Sequence, residues 1–296
     1  MDEQDRLAER FEAHRGRLRA VAYRLLGSPS EAEDAVQEAW LRLSRVDPGG
    51  IANLAAWLTT VVSRICLDLL RSRTSRREEP AGEDLAGRFV DGDEEGDPEQ
   101  EALLVDSVGR ALLVVLDTLG PAERIAFVLH DTFAVPFDEI APIVERTPVA
   151  TKKLASRARH KVHGTPVVTG SEPAAHRDVV DAFLAAARGG DLGALLAVLA
   201  PDVVRRADPA ALPSGAATVV RGARAVAEET VLLARNSRFA APALVDGAVG
   251  IVVAPRGRLL LALTLTIEGG RIAAYEVIAD PVRLQRLELA VLDTRP

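Results

Sequence analysis

Residues 137–162 read FDEIAPIVERTPVATKKLASRARHKV, and their pattern decides how this part of the chain folds. The first apolar residues recur at the spacing of one helix face and predict a short helix. They are Phe137, Ile140, Ala141 and Val144. A turn without glycine follows at Glu145 and Arg146, and Thr147-Pro148 then begins a second helix as N-cap and first helical residue. This arrangement predicts a helix-turn-helix.

The second of these helices has one apolar face and one basic face. Its apolar residues are Leu154, Ala155, Ala158 and Val162, and they are expected to be buried. The residues expected to be exposed are Thr151, Lys152, Lys153, Ser156, Arg157 and Arg159. Residues 147–164 hold five basic residues and no acidic one, a local charge that suits DNA phosphates. A helical hairpin with no role on DNA would share the apolar spacing, but the one-sided charge favours DNA binding.

An acidic helix face is predicted well upstream. Ser28-Pro29-Ser30-Glu31 has the pattern of a helix start with a capping box. The helix that follows has an apolar stripe, formed by Val36, Ala39, Trp40 and Leu43. A second face combines Asp34, Gln37, Glu38 and Leu41 at helical spacing. A solvated surface is the ordinary interpretation of such a face, whereas the large apolar Leu41 among acidic residues favours a docking surface for a protein.

Residues 55–77 predict a long helix with a basic C-terminal half. Its apolar residues are expected to be buried, and they are Trp57, Leu58, Val61, Val62, Ile65 and Leu69. Its basic positions are Arg64, Arg71, Arg73, Arg76 and Arg77, with Asp68 the one acid in residues 63–77. Arginines near a helix C-terminus also complement the helix dipole. Five arginines are more than interaction with the helix dipole requires, so contact with a DNA backbone explains their number better.

The 296 residues predict a multidomain chain: two all-α domains followed by one α+β domain. The predicted domains are residues 6–77 and 102–163, separated by a linker over 78–101 that holds eleven acidic residues and one arginine. Residues 174–292 form the third. Within it, alternation over residues 259–267, the turn Glu268-Gly269-Gly270 and residues 271–278 predict a β-hairpin.

Several function classes are disfavoured by composition. Cys66 is the single cysteine, which excludes an intrachain disulfide, and the five histidines show no metal-ligand spacing. No metal or cofactor is therefore predicted, and no phosphate-binding glycine loop is present. The N-terminus is acidic where a signal peptide would be basic, and no run of 18 uncharged apolar residues occurs. The chain is therefore expected to be cytoplasmic, with no membrane partner.

The chain resembles the extracytoplasmic-function (group IV) sigma factors of RNA polymerase. Residues 21–28, 32–43, 56–58 and 68–71 resemble sigma region 2, and residues 119–124, 127–131 and 136–141 resemble region 4. The remaining part resembles the SnoaL-like cone domain carried by a subgroup of these factors. Residues 247–250, 259–267 and 278–284 carry that similarity.

The resemblance implies a function for each face. Asp34, Gln37, Glu38 and Leu41 would dock on the β′ clamp of core RNA polymerase, and region 4 would meet the β flap. The −10 element of promoter DNA would be bound and melted by residues 49–53, including Asn53, and by Arg64, Asp68, Arg71 and Arg73, with a flipped base captured. The −35 element would be read by Thr151, Lys152, Lys153, Ser156, Arg157 and Arg159. The C-terminal domain would modulate activity within the same chain, through a ligand or contact that the residues do not identify.

Two alternatives remain at this point. SnoaL-like folds also serve enzymes that need an acid–base pair, for which Asp246, Glu276, Asp280 and Tyr275 are the candidates, but Arg271 can satisfy an acid structurally and no histidine follows His176. No catalytic residue is therefore predicted. The other alternative is a ligand-responsive helix-turn-helix regulator that does not act as a sigma subunit. Such a regulator would not need the face formed by Asp34 and Leu41.

Overall fold

The computed structural model describes residues 3–46, 50–77, 109–164 and 172–292. The predicted acidic linker over 78–101 lies outside the described residues, as does Gly49 of the predicted −10 loop. The described chain forms two compact units. Residues 3–46, 50–77 and 116–160 belong to the first, and residues 109–115, 161–164 and 172–292 belong to the second.

Three long helices begin the first unit: α1 (Glu3–Leu26), α2 (Pro29–Leu43) and α3 (Leu54–Arg77). Ser28 caps α2 as predicted, because its side chain accepts a hydrogen bond from the Glu31 amide and Pro29 occupies the first turn. The buried stripe of α2 consists of Ala32, Ala35, Val36, Ala39 and Leu43. Trp40, predicted in the core, is only partly buried and packs on Phe11 with ring centroids 5.1 Å apart.

Helix α3 buries Leu58, Val62 and Cys66 completely. Burial raises the pKa of the Cys66 thiol to about 12, although the nearby Arg124 charge acts in the opposite direction. The prediction that Trp57, Val61 and Leu69 are buried is wrong, since all three are only partly buried. Apolar periodicity identifies the inner side of the helix, but it does not show where that side meets the edge of the core.

The helix-turn-helix is present in the first unit. After α4 (Arg110–Asp117), α5 (Pro121–Phe127) continues into a π-helical turn (Val128–Thr132), and α6 (Phe137–Ile140) and α7 (Pro148–His163) follow. Between α6 and α7, Glu145 has a φ of 56°, in the left-handed region that glycine and asparagine adopt more often than other residues. The turn without glycine therefore has ordinary left-handed geometry, with a glutamate in the left-handed position.

The second unit is α+β, as predicted. Its helices are the start of α4, then α8 (Glu172–Gly189), α9 (Leu192–Val198), α10 (Ala223–Leu232) and α11 (Pro281–Leu284). Its strands are β1 (Leu199–Ala207), β2 (Val219–Arg221), β3 (Ala240–Val245), β4 (Ala248–Val253), β5 (Leu261–Glu268), β6 (Arg271–Ile278) and β7 (Leu289–Ala290). None of the described helices is long and apolar enough to cross a membrane.

The seven strands form one sheet in the order β2-β1-β6-β5-β4-β3-β7, in which β1 and β6 pair in parallel and the other neighbours are antiparallel. The predicted hairpin is β5–β6: Glu268 pairs with Arg271, and Gly269 and Gly270 both have positive φ in the two-residue turn. Helix α8 and strands β3 to β6 enclose the core, with Phe183 and Tyr275 in edge contact at 5.8 Å.

A buried ion pair lies inside this core. Arg205 of β1 is 2% exposed, its Nε donates to Glu229 Oε2 of α10 at 3.0 Å, and its NH1 donates to the Ala217 carbonyl oxygen at 2.9 Å. The arginine is therefore fully engaged by Glu229 and the backbone. A buried charge of this kind depends strongly on its partner, because removal of the partner leaves the charge in a medium of low polarity.

We predict that Glu229→Ala lowers the free energy of unfolding by about 3 kcal/mol or more, since it leaves Arg205 without its carboxylate. The control is Glu228→Ala, the adjacent exposed residue paired with Arg224, which should cost no more than about 0.5 kcal/mol. Calorimetric unfolding compares the two. The double variant Arg205→Met/Glu229→Leu should recover most of the loss, and equal costs for Glu228→Ala and Glu229→Ala would contradict the assignment.

Candidate nucleic-acid interface

The predicted acidic face of α2 is exposed. Asp34 and Gln37 face solvent, Glu38 is half-buried, and Leu41 is 42% exposed. Glu38 accepts a hydrogen bond from Arg42 Nε at 2.8 Å, one turn further along the helix. The neighbouring Glu33 instead pairs with Arg15 of α1. Among the described residues no ion pair engages Asp34, so the face offers an exposed carboxylate beside an exposed leucine, which is a surface suited to a protein partner.

Three of the predicted −10 residues share one face of α3. Arg64, Asp68 and Arg71 are all exposed and follow one another at one-turn spacing. Arg64 NH2 donates to the Pro142 carbonyl oxygen at 3.3 Å, and Arg71 NH2 lies 3.7 Å from Glu145 Oε2. The structure therefore brings these three residues together and places the helix-turn-helix turn against them.

Asn53 and Arg73 have structural roles as well. Asn53 caps α3, because its Oδ1 accepts a hydrogen bond from the Ala56 amide at 3.1 Å. Arg73 is half-buried, pairs with Glu31 and donates to the Leu26 carbonyl oxygen at 2.9 Å. This arginine therefore ties α3 to the start of α2 and is less exposed than Arg64 and Arg71. The side chains of Arg76 and Arg77 lie outside the described residues.

Two cavities flank the α3 face. The larger, about 500 Å³, is lined by Asn53, Trp57 and the loop residues before α3, together with Glu139 and Pro142 of the helix-turn-helix. The smaller, about 350 Å³, is lined by Arg64, Asp68 and Arg71 on one side and by residues 142, 143 and 145 on the other. The partly buried Trp57 is thus among the residues that line the larger cavity.

Helix α7 presents a basic face to solvent. Thr147 caps it, since its Oγ1 accepts a hydrogen bond from the Ala150 amide at 3.2 Å. Lys152, Lys153 and Ser156 are exposed, and neither lysine forms an ion pair with any residue in the described ranges. The two cations are available to an external partner.

Two predicted positions on α7 need correction. Thr151, predicted to be exposed, is fully buried, and its hydroxyl donates to the Thr147 carbonyl oxygen at 3.0 Å. It fills the contact between the helix start and the core, so it does not face a groove. Leu154, predicted to be buried, is partly exposed.

The two arginines of α7 pair with α5 and with the π-helical turn. Arg157, with a side chain 65% exposed, has its Nε 3.4 Å from Glu123 Oε1. Arg159 makes two hydrogen bonds to Asp131, at 3.0 and 2.6 Å, and the bond to that carboxylate raises the pKa of the guanidinium. Arg159 therefore holds the helix in place, whereas Arg157 keeps most of its side chain free.

Val149 is a residue that the sequence analysis did not select. It lies in the first turn of α7 and is 69% exposed. The positions 149, 152, 153 and 156 follow the one-face helical spacing, so Val149 extends the lysine-bearing face with an apolar group. The sequence could have predicted this position, since Val149 follows directly after the Thr147-Pro148 helix start and therefore lies in the first turn of the helix.

The four acid–base candidates of the second unit have separate structural roles. Asp280 caps α11, Asp246 accepts from the Glu288 amide, and Glu276 accepts from Arg283. Tyr275 is buried with its hydroxyl 3.1 Å from that of Thr230, and burial raises its pKa to about 12. No two of these four groups form a hydrogen bond to each other in the described structure.

A helix-turn-helix with a basic outer face, a basic α3 and a separate acidic face that suits a protein partner together define a DNA-binding transcription factor. The sequence model for Sigma-70 region 2 matches residues 10–76. The chain is 39% identical over 284 residues to the ECF RNA polymerase sigma factor SigJ of Mycobacterium tuberculosis, covering 92% of this chain and 91% of that protein. It is 37% identical over 294 residues to the probable ECF RNA polymerase sigma factor SigI of the same species, covering 97% and 98%.

The chain therefore belongs to the extracytoplasmic-function RNA polymerase sigma factors. Sigma factors work with core RNA polymerase and promoter DNA and direct promoter-specific initiation, which makes the regulator alternative the less favoured one. Among solved structures, the crystal structure of M. tuberculosis SigJ is 34% identical, with a TM-score of 0.45, covering 94% of this chain and 98% of that one.

Because Lys153 is exposed and Arg159 is paired with Asp131, we expect substitution of the lysine to affect promoter binding and substitution of the arginine to affect thermal stability. Lys153→Ala should leave the melting temperature unchanged and reduce the salt dependence of promoter binding by about one counterion. Arg159→Ala should lower the melting temperature by a few degrees, because it removes a two-bond ion pair worth up to about 1 kcal/mol. Thermal unfolding and a salt titration of promoter binding test both, and a stable Arg159→Ala variant with a reduced salt dependence would reverse the assignment.

Proposed function

We propose that this sigma factor binds core polymerase through Asp34, Gln37, Glu38 and Leu41, the −10 element through α3, and the −35 element through α7. Helix α7 supplies the observation that carries the proposal. Its Lys152 and Lys153, which form no ion pair with the described residues, share an outward face with Ser156 and Val149, while the opposite face is buried. Lysines suit guanine edges and phosphates, and a valine suits a thymine methyl group.

The −10 role rests on the α3 face and its cavities. Arg64 and Arg71 provide the charge to hold a phosphate backbone, and Asn53 and Trp57 line a cavity of about 500 Å³ next to them. A base that leaves the stack gains contact with an aromatic ring and a polar amide there, which offsets part of the cost of unstacking. Arg73 would support this face from behind by fixing α3.

The polymerase-docking role rests on the exposed α2 face. The exposed leucine provides an apolar anchor, and the acidic residues around it favour a partner with a basic surface. We assign this face to the β′ clamp and the helix-turn-helix part of the first unit to the β flap, and we place the activity in the cytoplasm, where core polymerase is found. No catalytic step is assigned to any residue.

The second unit is proposed to modulate initiation through residues of the predicted region 4. Arg110, at the start of α4, donates to the Ala254 carbonyl oxygen at 3.3 Å and lies over the Phe239 ring. At the end of α7, the Val291 amide donates to the Val162 carbonyl oxygen at 2.8 Å. Both ends of the 109–164 segment thus contact the C-terminal domain within the second unit, and a change in that domain can act on either end.

The test of the sigma role is transcription in vitro with purified core polymerase and a pool of random promoter sequences. The full chain should select promoters with two separated elements and initiate from them. The ligand-responsive regulator alternative gives a different outcome: binding to duplex DNA with neither initiation nor association with core polymerase.

We predict that reversing Asp34 and Glu38 to lysine weakens binding to core polymerase at least tenfold and leaves the fold intact, because Asp34 is exposed and the pair of Glu38 with Arg42 is a partly exposed one that contributes little to stability. The measurement is a fluorescence titration with core enzyme, with circular dichroism to verify folding. Glu9 and Glu12, exposed carboxylates on α1, are reversed as the matched control. Equal binding by the two double variants would remove the α2 face from the docking surface.

Gly164 offers a test of the C-terminal contact. Its φ is 57°, and a Cβ there would lie 2.5 Å from the Ala290 Cβ. Gly164→Ala should therefore displace β7 from the end of α7, at a cost of about 1–3 kcal/mol in addition to the backbone strain. Gly215→Ala is the matched control, because Gly215 has a φ of 85° and open space around it. Initiation rates that differ from wild type in Gly164→Ala alone would support modulation through this contact, and identical rates in both would contradict it.

A further inference from the structure

The first turn of α7 exposes one apolar side chain to solvent. Val149 is 69% exposed, and it follows Pro148, the first residue of the helix. Single exposed apolar residues are common on protein surfaces, so exposure alone does not identify a binding residue. The position of this valine is more informative, because residues at the start of the last helix of a helix-turn-helix are those that reach base edges.

The backbone around Val149 is fixed by its neighbours. The Thr147 Oγ1 accepts a hydrogen bond from the Ala150 amide at 3.2 Å, and the buried Thr151 donates its hydroxyl to the Thr147 carbonyl oxygen at 3.0 Å. A β-branched side chain in a helix also has one strongly preferred rotamer. The two methyl groups of Val149 are therefore held at a defined place on the outer face of α7.

The charge around Val149 suits DNA. Lys152 and Lys153 follow it by three and four residues on the same helix face, and neither forms an ion pair with the described residues. The first turn of α7 contains no acidic residue, although the helix dipole favours one there. Nothing on this turn therefore repels a phosphate backbone, and the two lysines can bind the backbone while the valine enters the groove.

A valine can distinguish base pairs only through apolar contact. Its side chain has no hydrogen-bond donor or acceptor, so it cannot bind the polar groups of a base edge. The C5 methyl group of thymine is the apolar group that base pairs present in the major groove. Contact between this methyl group and Val149 removes apolar surface of both from water, which is favourable. Cytosine has a hydrogen at the same ring position, whereas 5-methylcytosine has the methyl group.

We propose that Val149 reads a C5 methyl group in the major groove of the −35 element. This inference rests on the proposed −35 role of α7. Val149 then sets a preference for thymine at one base pair, and 5-methylcytosine at that position provides the same contact. Promoter binding by this sigma factor therefore responds to methylation of a cytosine placed there.

Replacement of thymine by deoxyuridine removes the methyl group and keeps the hydrogen-bonding groups of the base. The complex of the full chain with core polymerase is titrated with duplex fragments of a selected promoter, in which each thymine of the −35 element, on either strand, is replaced in turn. At one position the replacement should weaken binding by wild type about three- to sixfold, the order expected for one buried methyl group. Val149→Ala should bind the thymine promoter more weakly by a similar factor and should not distinguish thymine from deoxyuridine.

Two variants serve as controls. Leu232→Ala removes an apolar side chain that is 77% exposed on α10, and it should leave both affinities unchanged. Lys153→Ala should weaken binding to the thymine and deoxyuridine promoters by the same factor, because the lysine does not depend on the methyl group. Circular dichroism verifies the fold of each variant, which should be intact because all three side chains are exposed.

A second comparison distinguishes the two sources of the methyl group. The thymine–adenine pair at the sensitive position is replaced by a cytosine–guanine pair, with and without a methyl group on the cytosine C5. Wild type should bind the methylated fragment about three- to sixfold more tightly than the unmethylated one. Val149→Ala should bind the two fragments equally.

The outcomes separate this inference from the proposed function. Methyl-dependent binding that is lost in Val149→Ala and kept in both controls supports the inference. Methyl-dependent binding that persists in Val149→Ala overturns it, because another residue then reads the methyl group. Binding that no deoxyuridine replacement weakens also overturns it, and in both cases a loss in Lys153→Ala keeps the −35 role of α7. If neither Val149→Ala nor the double variant Lys152→Ala/Lys153→Ala weakens promoter binding, the −35 role itself is wrong.

Discussion

Helix α3 can present arginines on one side because its opposite side is buried. Leu58, Val62 and Cys66 recur every four residues and are fully enclosed, which fixes the rotation of the helix about its axis. Arg64, Asp68 and Arg71 must then face outward, toward the cavities and the helix-turn-helix turn. Arg73 secures the same rotation from the far end through Glu31. The geometry of this arginine-bearing face follows from the packing of this one helix.

Local signals predicted much of this structure. Ser28 and Thr147 are helix caps with hydrogen bonds as expected, and Gly269-Gly270 makes the two-residue turn of the β5–β6 hairpin. These features depend on residues close together in the chain, so their physical cause is visible in the sequence. The basic face of α7 and the acidic face of α2 follow from helical periodicity in the same way.

One error had a local cause, and the others came from contacts between distant parts of the chain. Helical periodicity predicted an exposed Thr151. Its hydroxyl instead donates a hydrogen bond to the Thr147 carbonyl oxygen, which allows the side chain to be buried. Trp57 matched a core position, yet the core ends before it and a cavity begins there. The pairing of Arg71 with Glu145 joins residues from two predicted domains. No spacing rule reports that the two helical segments share one unit.

Cys66 has a consequence for how signals can reach this sigma factor. A thiol reacts with oxidants and alkylating agents as the thiolate, and burial, which raises the pKa of the Cys66 thiol to about 12, disfavours that form at neutral pH. The side chain is also fully enclosed between helices. Because Cys66 is the single cysteine of the chain, oxidative stress finds no reactive thiol here. A redox signal therefore cannot act on the native fold of this chain through an accessible thiolate.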